Sequence, residues 1–268
     1  LDATGPFVSF VSFVVKRTSR LTQAPPFYKA GATVDGVDMK TLGLLGGMSS
    51  ESTAIYYRLL NEGVNARLGG LSAAKLILWS FDFADIAARQ SAGDWDGLAA
   101  SLAEAARRLE AAGAEAVMIC ANTMHKMADE VQAAIGVPVL HIADATAQAI
   151  KTTPSRRPAF LATRYSMEQD FIRGRLRERF DIETLIPDEP ARIELHRIIY
   201  DELCLGVVKP ESKAAFRGMV DALRRQGADG VILGCTELGL VLTQAEIDLP
   251  VFDTALIHVT AGVDFALR

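Results

Sequence analysis

The chain has 268 residues, half of them hydrophobic, so it can bury one large core or two smaller ones. A formal net charge of -5 and the lack of any Lys/Arg-rich run exclude the electrostatic footprint of a nucleic-acid binder or of a protein drawn to an acidic membrane surface. Three scattered cysteines, Cys120, Cys204 and Cys235, are too few for a disulfide framework; the odd count fits a soluble protein in a reducing, cytoplasmic compartment.

In chain order, residues 1–38 read differently from the rest. Phe7 to Val15 is apolar but only about half as long as a membrane helix. Lys16, Arg17 and Arg20 follow this run instead of preceding it, the reverse of a signal peptide. The segment is expected to be a leader or a disordered extension. From Met39 onward, short apolar runs alternate with helical patterns. Thr41 to Leu45 is a buried-strand candidate ending in the tight-turn signal Gly46-Gly47-Met48-Ser49. That Gly pair is no dinucleotide fingerprint, lacking both the Gly-x-Gly-x-x-Gly order and the acidic partner. Ala74 to Ser80 reads as a second strand, Ala116 to Cys120 as a third and Val139 to His141 as a short fourth. Leu98, Leu102, Ala105, Ala106 and Leu109 mark one helical face, which Gly113 is placed to end. This alternation implies a parallel sheet with helices on both faces.

The same order then recurs. Gly113 to Thr123 lines up with Gly227 to Glu237, each after an amphipathic helix, the second with its face at Phe216, Met219, Val220 and Leu223. Val137-Pro138-Val139 matches Leu249-Pro250-Val251, and the first strand with its turn matches Pro158 to Ser166 at an offset of 117. The chain therefore reads as two similar doubly wound α/β domains facing each other across a cleft. The first covers 39–147, completed by 258–268; the second covers 148–257. In open α/β sheets ligands bind beyond the carboxyl ends of the strands. The turns after the first and third strands of each half thus converge, bringing Ser49, Ala121-Asn122-Thr123, Arg164 to Ser166 and Cys235-Thr236-Glu237 together. Helix starts at these turns would favour a bound carboxylate and lower the pKa of a thiol.

Gly234-Cys235-Thr236-Glu237 and Asn122-Thr123-Met124-His125, with the opening Gly46-Gly47-Met48-Ser49, resemble the cofactor-independent aspartate/glutamate racemase family. Met124-His125-Lys126 and Thr163 to Phe171 bring the likeness closest to the enterobacterial type. The resemblance runs from Met39 nearly to the C-terminus. It implies racemisation of a small acidic amino acid without a cofactor, by two thiols on opposite cleft walls, in a homodimer. It also implies that Asn122, Thr123 and Thr236 hold the substrate's polar groups and that Met48 and Gln90 line the site. The repeat geometry adds Ser49 and Arg164, whose guanidinium suits a side-chain carboxylate. Glu237 is assigned either to holding its turn or to the substrate ammonium.

One position departs from the pattern. In two-cysteine members a thiol immediately precedes the Asn-Thr pair, and here Ala121 stands there. The repeat agrees, since Cys235 aligns with Ala121 and Cys120 with Gly234. A one-residue shift at a strand end turns a side chain to the opposite face, so Cys120 is expected to be a buried structural thiol. Cys235 is then the lone thiol acid/base, with water or the Thr123 hydroxyl serving the other face and net racemisation impaired. Cys204, in the apolar segment Ile198 to Leu205, is expected to pack, and His196 to be solvated. His141 and His258 are read as satisfied structural groups. His125 is divided between orienting the site and capping a helix. No Cys/His cluster has metal-ligand spacing. Two alternatives stay open: a single-cysteine decarboxylase of the same superfamily, and a non-catalytic binder of acidic amino acids.

Overall fold

A computed structural model describes residues 38–268, so the leader reading for 1–37 lies outside the described residues. In the first half, β1 (Leu42–Gly46) is buried throughout and sits between β2 (Leu76–Ser80) and β3 (Ala116–Ile119), all parallel. In the second half, β5 (Val231–Gly234) is central between β4 (Ala159–Ala162) and β6 (Val251–Asp253), again all parallel. A single bridge, Val117 to Val139, extends the first sheet, and another, Ala159 to Leu185, extends the second. The expected fourth strand at Val139–His141 is therefore only that bridge. Each half retains a different three strands of one four-position plan, with the missing edge at opposite ends.

The ladder also corrects the repeat. Glu115 N–H donates to Thr41 O and Asp229 N–H to Arg157 O in equivalent places. The third strands are thus 114 residues apart, as read from sequence, but the first strands are 116 apart, not 117.

Ten helices connect the strands among the described residues, seven of them started by a side-chain cap. These are α1 (Ser50–Leu68), α2 (Phe83–Ala92), α3 (Trp95–Ala111), α4 (Ala128–Ala134) and α5 (Ile142–Lys151), then α6 (Arg164–Glu168), α7 (Asp170–Phe180), α8 (Glu189–Asp201), α9 (Pro210–Arg225) and α10 (Thr254–Ala266). α3 starts on the Asp94 carboxylate, which accepts from Gly97 N–H, and buries Leu98, Leu102, Ala105, Ala106 and Leu109 as the sequence pattern required. α9 buries Phe216, Met219, Val220 and Leu223.

Two helices cross between halves. α5 buries Ile142, Ala143, Ala147 and Ile150 in the core of the second sheet. α10 buries Ala255, Val259, Val263 and Ala266 against Leu42, Leu44 and Tyr56 of the first. At about 1.5–3 kcal/mol for each large apolar side chain buried, this exchange ties the two sheets together and fixes the cleft between them. A boundary at 147/148 would cut α5, and one at 257/258 would cut α10. Cores change hands instead at the starts of these helices. His258 on α10 accepts from Tyr56 Oη at Nδ1 and donates from Nε2 to Leu140 O, 2.8 and 2.6 Å.

Candidate active site

Glycine shapes the first turn. Gly47 has φ +81°, and a Cβ there would lie 2.2 Å from Phe81 O, so the end of β1 can pass close to the chain leaving β2. The peptide between Met48 and Ser49 is cis. Ser49 caps α1 by accepting from Ser52 N–H. Ser49 and Ser52, on the first half, both donate their hydroxyls to Glu237 Oε1 of the second, at 2.7 and 2.9 Å.

β3 ends in Ala121-Asn122-Thr123, leading into a 3-10 turn at Thr123–Met127. His125 locks this turn. Ile142 N–H donates to its Nε2 at 3.1 Å, which leaves Nδ1–H to donate to Ala121 O at 2.9 Å. His125 is therefore neutral, and burial together with nearby His141 and His258 pushes its pKa well down. Asn122 Nδ2 donates to Thr254 Oγ1, which donates on to Leu233 O. Asn122 Oδ1 is buried without a protein partner. The Thr123 hydroxyl meets that of Thr163 at 2.9 Å and so joins the two walls.

β5 ends in Gly234-Cys235, followed by a 3-10 turn at Thr236–Leu240. A Cβ at Gly234 would lie 2.2 Å from the Phe160 ring, which fills the core where Cys120 sits in the other half. Cys120 is fully buried among Leu42, Leu44 and Val259, as the one-residue shift requires. Cys235 faces the cleft, and its Sγ–H donates to Glu237 Oε2 at 3.0 Å. The expected lowering of its pKa is reversed. Burial first, and then the Glu237 carboxylate, push the thiol well above its ordinary value. The helix start that was to depress it is only a short 3-10 turn.

These turns converge on a narrow cleft between the two halves. Met48, Gln90, Ala121, Asn122, Thr123, Cys235, Thr236 and Glu237 all line it. Ser49 does not reach it and stands behind Glu237. Arg164 is exposed along α6 and paired with Glu168 at 3.3 Å, so the geometry does not bring its guanidinium to the cleft. The turn that carries it aims Thr163 inward instead.

Several lining residues were missed. Cys204, expected to pack, lines the cleft from a 3-10 turn at Leu203–Leu205, 3.9 Å from Glu237 Oε1, and burial raises its pKa. Tyr200, four residues earlier, donates its hydroxyl to Gln90 Oε1 at 2.9 Å. Ser52 could have been found from its spacing of three from Ser49 on one helix. Phe83, Ile199 and Met124 carry no chemical signal. Phe83 stacks on Tyr200, which contacts His196, and His196 packs edge-on against Tyr165, itself edge-on to Trp95. His196 is thus half-buried in an aromatic rim rather than solvated. Among the described residues no group of three or more His, Cys, Asp or Glu is arranged to hold a metal ion, and no helix is long and apolar enough to cross a membrane.

Comparison with known proteins places this geometry. A solved structure from Yersinia pestis assigned as an Asp/Glu racemase is 50% identical and covers 86% of this chain and all of that one, with a TM-score of 0.80. An aspartate racemase homologue from Pyrococcus horikoshii OT3 is 35% identical over 86% of this chain and all of that one, with a TM-score of 0.75. The broad specificity amino-acid racemase RacX of Bacillus subtilis (strain 168) is 23% identical, over 60% of this chain and 69% of its own. The description Asp/Glu/Hydantoin racemase matches residues 45–262, and the chain belongs to that family.

Proposed function

We propose that the protein catalyses proton exchange at the α-carbon of an amino acid, with Cys235 as acid/base on one face and no titratable group at Ala121 on the other. The observation that carries this reading is the Cys235–Glu237 pair, a cleft-facing thiol donating to a buried carboxylate. At rest the sulfur holds its proton. To act as a base it passes that proton to Glu237 Oε2, leaving a thiolate and a neutral carboxyl group. An arriving substrate ammonium favours the thiolate, and Asn122 Oδ1 is the acceptor open to it. The thiolate then takes the α-hydrogen, while the Thr123 and Thr236 hydroxyls, on facing walls, can donate to the α-carboxylate and stabilise the carbanion. Protonation by Cys235 restores the starting enantiomer. Protonation from the far side falls to water or to the Thr123 hydroxyl, which is engaged with Thr163. Exchange therefore outpaces net racemisation. The family resemblance points to aspartate or glutamate, but this chemistry uses only the ammonium and α-carboxylate shared by all amino acids.

Cys235→Ala tests the reading. Solvent α-hydrogen exchange is expected to fall about 10³-fold, with the folded structure retained by circular dichroism; an unchanged rate would overturn the proposal. A second reading has one observation in its favour. A thiol protonated at rest, facing an alanine, also suits a decarboxylase that protonates a planar intermediate. Carbon dioxide release from substituted malonates, without amino-acid exchange, would favour it.

A further inference from the structure

The side-chain preference of the site can be read from its charges. Among the described lining residues the sole formal charge is the Glu237 carboxylate; the others are apolar or neutral polar groups. Two cations on the turns that lead into the cleft, Arg164 and Lys126, are not among its lining. Arg164 pairs with Glu168, and Lys126 is held by Gln169 Oε1 and lies over the Trp95 ring. Met48, Phe83, Ile199 and the Tyr200–Gln90 hydrogen-bonded pair also line the cleft. An α-amino acid with an uncharged side chain brings one ammonium and one carboxylate, which Asn122 Oδ1 and the threonine hydroxyls can meet. Aspartate or glutamate brings a second carboxylate into a desolvated site that already holds one and gives it no cation, an uncompensated burial of charge.

We infer that the substrate class is amino acids with uncharged side chains of moderate size, apolar or amide, in preference to aspartate and glutamate. This rests on the exchange chemistry proposed above but fails separately from it. The test uses isosteres that differ only in charge. Solvent exchange at the α-carbon is measured for L-glutamine against L-glutamate, and for L-asparagine against L-aspartate, with L-methionine as the apolar member. We expect kcat/KM to be at least tenfold higher for each amide than for its acid. Phe83→Lys, which puts an ammonium at the mouth of the cleft, should narrow that ratio at least threefold. Acids that exchange as fast as their amides, or faster, would overturn the inference and leave the exchange chemistry standing. If no amino acid exchanges, the chemistry fails, and the preference is still decided by ligand-induced Tm shifts: a larger shift with glutamine supports it and a larger or equal shift with glutamate overturns it.

Discussion

The two cleft turns, 121–123 and 235–237, occupy equivalent positions and share a backbone plan, yet they carry different chemical groups. Each follows the third-position strand of its sheet and enters a 3-10 turn. The second presents a thiol and a carboxylate in hydrogen-bond contact. The first presents a methyl group, an amide with an unpaired oxygen and a hydroxyl tied to the opposite wall. It is held rigidly all the same, because His125 bonds Ala121 O from one ring nitrogen and the start of α5 from the other. On the function proposed above, the first turn would bind substrate without supplying an acid/base group.

The largest effect is expected from restoring symmetry to the two turns. Ala121→Cys places a thiol where the repeat puts Cys235. Exchange of the D-enantiomer should rise about 10³-fold and net racemisation should appear in both directions, as followed by chiral chromatography. No gain in a folded variant would show that the first wall has lost more than its thiol. A smaller effect is expected at Glu237→Gln. The amide cannot take the Cys235 proton, so exchange should fall about 10²-fold. Removing the negative charge also lowers the thiol pKa, so alkylation of Cys235 by iodoacetamide at neutral pH should speed up. Slower alkylation would contradict the assigned direction of the thiol shift.

The smallest effect concerns the joint between the halves. Burial pushes His258 down to about 4. With a folded-state value below the unfolded value of about 6.5, its contribution to stability is complete above that value and is lost as pH falls toward 4. Wild-type stability should drop by about 2 kcal/mol from this group between pH 7 and pH 5. His258→Gln should show a correspondingly shallower pH dependence in urea unfolding, whereas equal slopes would count against a neutral His258 holding the joint.

Much of this was legible in the sequence. Strand periodicity and the internal repeat located both sheets, and the one-residue offset between Cys120 and Cys235 correctly separated a core thiol from a cleft thiol. What stayed hidden depends on long-range approach. Cys204 looked like packing because its segment is apolar, and only the fold brings it beside Glu237. Arg164 looked like a ligand because its turn faces the cleft, but a partner four residues on along α6 holds the side chain at the surface. Glu237 could not be assigned a role until Ser49 and Ser52, some 185 residues away, were seen donating to it. The fate of the thiol pKa likewise depended on burial and on that carboxylate, neither of which a motif displays.

The one-sided account is tested most directly by proton NMR in heavy water, following loss of the α-proton signal from the L- and D-enantiomers of whichever amino acid exchanges fastest. Loss is expected from the L-enantiomer, which by family resemblance is the one handled by the second-half thiol, with the D-enantiomer at least about a hundredfold slower and little change in optical purity. Equal loss from both enantiomers would contradict it.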